Sequence, residues 1–128
     1  MKLIVRGICC LIPGQTYSRN IRVTRIVDTF LEHARIWYFG NGGNPKLFLG
    51  SPDWMRRNLY RRIEAVTPIL DPDAKQELID MLSIQLSDKR KACFVDENLR
   101  NCWKSAHPQK EKVRSQYTFY EYLKEKTE

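Results

Sequence analysis

At 128 residues, 42% of them hydrophobic, the chain is long enough to bury one core and too short for two ordinary domains, so a single packed unit is expected. A net charge of +7 and a pI near 9.4 favour an anionic partner, and charge alone admits nucleic acid, nucleotide, polyphosphate or a membrane surface. Cys9, Cys10, Cys93 and Cys102 contain no CxxC pair, which excludes zinc-ribbon spacing, argues against a disulfide framework and favours a reducing cytoplasm.

The opening run Leu3 to Ile12 is almost continuously apolar and stops at Pro13-Gly14, the pattern of a strand buried on both faces. Interrupted by Arg6 and far short of the roughly 18 apolar residues of a membrane span, it reads as neither a transmembrane helix nor a signal peptide. A chain that starts on such a strand is expected to cut into a larger domain. IRVTRIV, residues 21–27, reads as a half-buried strand, RIWYF and KLFLG as two more, and GNGGNP as the hairpin loop between them.

RRIEAVTPI is expected to be a fifth strand, with Ile63, Ala65, Thr67 and Ile69 on its core face and Arg62 and Glu64 together on the other. The clearest helix is LDPDAKQELIDMLSIQLSDK: Asp71 suits the N-cap, Pro72 the first turn, and Ala74, Leu78, Leu82 and Leu86 form a stripe expected to cover the sheet. KACFVD predicts a further strand, HPQKEKVRSQ a polar linker, and SQYTFYEYLKEK a terminal helix.

The Gly40–Gly43 run superficially matches a dinucleotide loop, but Pro45 and a β-type run follow it where that loop requires a helix, so a hairpin turn is favoured. Arg6, flanked on its face by Ile4 and Ile8, needs an anion or a place at the strand's end; a phosphate and a structural salt bridge both satisfy it. His33 lies between an apolar turn and a strand with Arg35 near it, which suits phosphate without requiring it, and His107 looks incidental. In SPDWMRRNLYRRIE, Arg56 and Arg57 are expected in a loop, where solvated charge is the ordinary outcome.

The strings IVRGICCLIPG, NIRV with FLEHARIWYFGNGG, LGSPDWMRRNL with RRIE, and KVRSQ together resemble the C-terminal part of the long, histidine-phosphorylated polyphosphate kinases, across most of the chain and in order. The resemblance implies an α/β, phospholipase D-like mixed sheet with flanking helices. Because that family's domain begins with a strand and helix before IVRG, it also implies that residues 1–128 are an N-terminally truncated piece of it. It places Arg6 and His33 in the ATP-binding set, with His33 catalytic, and Arg62 and Glu64 in the polyphosphate tunnel. The histidine that accepts the phosphoryl group has no counterpart here. Pro52 stands where the family usually has Ala, and the phospholipase D likeness is reduced to one H-x-R in place of two H-x-K sites.

The function implied is a share in the reversible transfer of the ATP γ-phosphate to polyphosphate through an upstream phosphohistidine, the fragment alone being inactive. ATP or ADP is then the substrate, and magnesium serves the full-length enzyme with no ligand identified in this chain. The implied partners are polyphosphate, the upstream domains of the same enzyme and, at full length, further copies; no nucleic acid is expected, and the location is cytoplasmic with the membrane periphery admitted. Two rivals stand beside it. One is a non-catalytic basic module for polyphosphate or nucleic acid; the other is a dimeric phospholipase D-like phosphodiesterase, each chain lending one histidine.

Overall fold

The computed structural model describes residues 1–128, which divide into two compact units, Met1–Phe30 with Met81–Glu128 and Leu31–Asp80. The elements in chain order are β1 (Lys2–Ile4), β2 (Arg22–Ile26), β3 (Arg35–Phe39), β4 (Lys46–Gly50), α1 (Arg56–Arg61), β5 (Val66–Pro68), α2 (Pro72–Ser87), β6 (Ala92–Val95), β7 (Asn101–Trp103) and α3 (Ser115–Thr127).

The first unit is built on a mixed sheet of order β1-β2-β6-β7, in which only the β1–β2 pair is parallel. Its core lies on the two central strands, where Val23, Ile26, Ala92, Cys93 and Val95 are buried. β2 departs from the half-buried expectation: neighbouring residues Val23 and Thr24, which point to opposite faces, are both buried. Asp88, fully buried, accepts the backbone N–H groups of Arg90, Lys91 and Ser115, each at 2.8 Å, and so ties the end of α2 to the start of α3.

The long first strand is corrected. β1 ends at Ile4, and Ile8 is 87% exposed. β1 is an edge strand whose only partner is β2, and after Val5 N–H donates to the Thr24 carbonyl at 2.9 Å the ladder ends. Apolar composition supplied a reason to be buried but not the hydrogen-bonding neighbours an extended run needs.

The second unit carries an antiparallel sheet of order β3-β4-β5 around Leu47, which is 1% exposed. β3 and β4 pair from Arg35↔Gly50 to Phe39↔Lys46, and GNGG closes the hairpin with Gly42 at φ 61° and Gly43 at φ 96°. The run thus enters a strand and not a helix, so it lacks the helix N-terminus of a dinucleotide site.

RRIEAVTPI is the second correction. Only Val66–Pro68 is a strand, Arg56–Arg61 is helical where a loop was expected, and Ile63, assigned to the core face, is fully exposed. The chain is helical to Arg61 and joins a strand only at Val66, so period-two alternation does not describe residues 62–65. The helix over residues 70–89 is α2, and Asp71 Oδ1 caps it by accepting Ala74 N–H at 2.8 Å. Its stripe is covered only in part: Ala74 is exposed and Leu78, Leu82 and Leu86 are half-buried.

Candidate functional site

In the first unit Arg6 lies just beyond the carboxyl end of β1, exposed, with Nη1 donating to the Phe30 carbonyl at 2.9 Å. Arg6 lies at the strand's end, one of the places the sequence allowed it, and no carboxylate of the chain pairs with it, so the structural salt bridge is not formed. Its guanidinium keeps donors free beyond that bond.

The backbone that receives Arg6 is itself clamped. Gln116 Nε2 donates to the same Phe30 carbonyl at 2.8 Å, and Phe30 N–H donates to Gln116 Oε1 at 2.9 Å. Beside it the Arg114 guanidinium makes two bonds to Asp28, Nε to Oδ2 at 2.8 Å and Nη2 to Oδ1 at 2.6 Å, and packs 4.2 Å from the Tyr117 ring centroid. The Arg114 hydrogen bond, working against burial, holds the Asp28 carboxyl below the ordinary aspartate range. These residues, Asp28, Arg114 and Gln116, were not singled out from the sequence. The signal available was the KVRSQ string, which puts an arginine and a glutamine at the first turn of α3.

In the second unit His33 is exposed, and its carbonyl accepts from Arg35 Nη1. Arg35 also donates to Asp53 Oδ1 from Nε at 2.9 Å and from Nη2 at 2.6 Å, so its charge is matched within the protein. This pair holds the backbone of the HAR segment to the loop after β4, while the imidazole is exposed. Arg62 ends α1 in extended conformation and is exposed without an ion-pair partner. Glu64 is half-buried and accepts from Asn58 Nδ2 at 2.7 Å. Arg62 and Glu64 are therefore neighbours in sequence with separate engagements, and α1 supplies the group that fixes Glu64.

Chemically, exposed Arg6 and Arg62 are suited to phosphate oxygens, exposed His33 to donating or accepting a proton, and Glu64 to a fixed negative charge. None is a nucleophile activated by an adjacent base.

Known proteins give one consistent picture. The family model for polyphosphate kinase C-terminal domain 2 matches residues 1–116. Polyphosphate kinase of Escherichia coli (strain K12) is 46% identical over 125 residues, 97% of this chain and 18% of its own length. That of Vibrio vulnificus (strain YJ016) is 43% identical over the same span. A crystal structure of polyphosphate kinase from Porphyromonas gingivalis superposes with a TM-score of 0.92 at 55% identity, covering 98% of this chain and 19% of that one. The chain thus spans 18% of the curated relatives' length.

Proposed function

The chain belongs to the polyphosphate kinase C-terminal domain 2 family, and from that premise we propose that it forms part of an ATP-polyphosphate phosphotransferase. Residues 1–128 are part of the C-terminal domain of that enzyme and supply a share of its nucleotide and polyphosphate tunnel. The observation that carries this reading is the superposition of nearly the whole chain on a polyphosphate kinase at more than half identity.

Phosphoryl transfer has a loose transition state, and its catalysis is mostly positioning and charge stabilisation. Arg6 and Arg62 hold phosphate oxygens of nucleotide and polymer, and His33 donates a proton to a phosphate oxygen as charge develops on it. Glu64, fixed by Asn58, sets the field beside Arg62. The phosphoryl acceptor is a histidine of an upstream domain, so this chain alone does not turn over.

Magnesium would neutralise phosphate charge in the whole enzyme, but the residues here do not fit a magnesium site. Asp28 and Asp53 are each engaged by a guanidinium, Asp96 by backbone N–H groups and Arg100, and no group of three or more His, Cys, Asp or Glu converges. The chain's own contribution is cationic. The phosphodiesterase rival loses support at Arg35: the cation of its single H-x-R is matched by Asp53 and is not left for a phosphodiester.

Titration with a non-hydrolysable ATP analogue tests the assignment. Arg6→Ala and His33→Ala should each weaken binding about tenfold, equivalent to about 1.4 kcal/mol. Single-stranded nucleic acid should displace the analogue only in large excess. Unchanged affinity in both variants, or displacement at equal phosphate concentration, contradicts it.

A further inference from the structure

The first unit holds a second concentration of positive charge that none of these roles uses. Lys2 and Arg22 are register partners across the parallel β1–β2 pair, so their side chains leave the same face of the sheet on adjacent strands. Phe94 projects from that face too, because Thr24 pairs with Phe94 and lies two residues from Arg22. The Arg22 guanidinium lies 5.2 Å from the Phe94 ring centroid and Lys104 Nζ 5.5 Å from it. Arg19 joins Lys2, Arg22 and Phe94 in lining an open cavity of about 500 Å³.

These cations lack compensation. No ion pair to Lys2, Arg19, Arg22 or Lys104 is formed; the pairs at Asp53, Asp96, Asp28 and Glu128 involve other cations. Lys104 spends one donor on the Leu86 carbonyl, at 2.6 Å, and keeps two. Its ammonium is held below the ordinary lysine range by burial first; Asp88 opposes this, and repulsion from Lys89, Arg22 and Lys2 adds to it. The cluster is close enough for its members to destabilise one another, a cost that a bound anion relieves.

We propose that this face, Lys2, Arg19, Arg22 and Lys104 around Phe94, binds inorganic polyphosphate as a linear polyanion. The proposal rests on the reading of the chain as part of a polyphosphate enzyme and adds to it a binding site outside the residues named above. Phosphate chain is the better fit than single-stranded nucleic acid because the one aromatic ring lining the cavity is already engaged by two cations and is not offered to a base. A ligand made of charge alone needs no such platform.

The test is binding of labelled inorganic polyphosphate to the whole chain, followed by fluorescence anisotropy over a salt series. Lys2→Gln with Arg22→Gln should weaken binding about tenfold and lower the salt slope by about 1 to 2, the loss expected for one or two phosphate contacts. Arg22→Lys, which keeps the charge, should retain most of the affinity and guards against mere misfolding. Unchanged affinity and slope in the double Gln variant, with ATP-analogue binding still dependent on Arg6, overturns this site and leaves the enzyme reading standing. No polyphosphate binding by the unaltered chain, together with no Arg6-dependent ATP-analogue binding, overturns both. Displacement by single-stranded DNA at equal phosphate concentration overturns the ligand assignment in favour of nucleic acid.

Discussion

Arg114 grips Asp28 through both of its carboxylate oxygens, at 2.8 and 2.6 Å, while the Asp28 side chain is only 1% exposed. The bond joins the first turn of α3 to the segment that leaves β2 and leads toward His33. Because the folded-state pKa of Asp28 is depressed, chiefly by the Arg114 hydrogen bond, the stability it contributes is present above the ordinary carboxylate pKa of about 4 and is lost as pH falls through the lower folded value. Urea midpoints measured over pH 2 to 6, a range of roughly two units either side of that pKa, should therefore drop at the acid end. In Arg114→Ala the midpoint at neutral pH should fall and much of this acid dependence should disappear, since the carboxylate loses the partner that favours its charge. Equal acid slopes in the two proteins contradict the assignment.

The Phe30 carbonyl receives both Arg6 and Gln116, so under the proposed function Gln116 would support nucleotide binding through the backbone that Arg6 touches. Gln116→Ala removes two side chain to backbone bonds, a loss of about 1 to 2 kcal/mol in stability. It should also weaken ATP-analogue binding, whereas Gln116→Glu, which keeps the acceptor to Phe30 N–H and loses the donor, should fall between. If Gln116→Ala lowers stability while leaving that affinity intact, the clamp has no part in placing Arg6.

Gly50 ends β4 where β5 crosses closest. A Cβ built there would lie 2.9 Å from the Ala65 carbonyl oxygen and 3.1 Å from both Pro52 Cδ and Val66 Cγ2. The first of these neighbours is backbone and cannot swing aside, so Gly50→Ala should cost about 1 to 3 kcal/mol, read as a lower thermal midpoint. A midpoint equal to that of the unaltered chain would mean the two strands separate without loss.

How much of this was legible in the sequence depended on whether local signals were sufficient. Asp71-Pro72 before a four-residue apolar repeat located α2, and the Gly/Asn/Pro cluster located the β3–β4 hairpin, because caps and turns are read within a few residues. β7 was missed, since its hairpin is closed by Leu99 in the left-handed region at φ 60° and by Asp96 accepting the N–H groups of Asn98 and Arg100, with no glycine to mark the turn. The failure at Ile63 and Ala65 came from carrying strand alternation through residues that lie between the end of α1 and the start of β5, and the Asn58–Glu64 bond became visible only with that helix in place. Arg6 and His33 were named by string likeness, while the residues that support Arg6 lie about 110 positions away in sequence and meet it only through the fold.

Arg61 and Arg62 are adjacent but should behave unequally. Arg61 lies within α1, whereas Arg62 leaves it in extended conformation beside the anchored Glu64. Arg62→Ala should weaken polyphosphate binding severalfold, on the scale of one lost phosphate contact, and Arg61→Ala should change it much less. Equal losses in the two variants would reduce both to general charge.

The most direct measurement is ATP-dependent polyphosphate synthesis by a chimera in which this chain replaces the matching segment of the Escherichia coli relative. The proposed function predicts incorporation of label from the γ-phosphate of ATP into polyphosphate, strongly reduced by His33→Ala or Arg6→Ala in the inserted segment. A folded chimera that makes no polyphosphate, or one whose synthesis is indifferent to both substitutions, would contradict it.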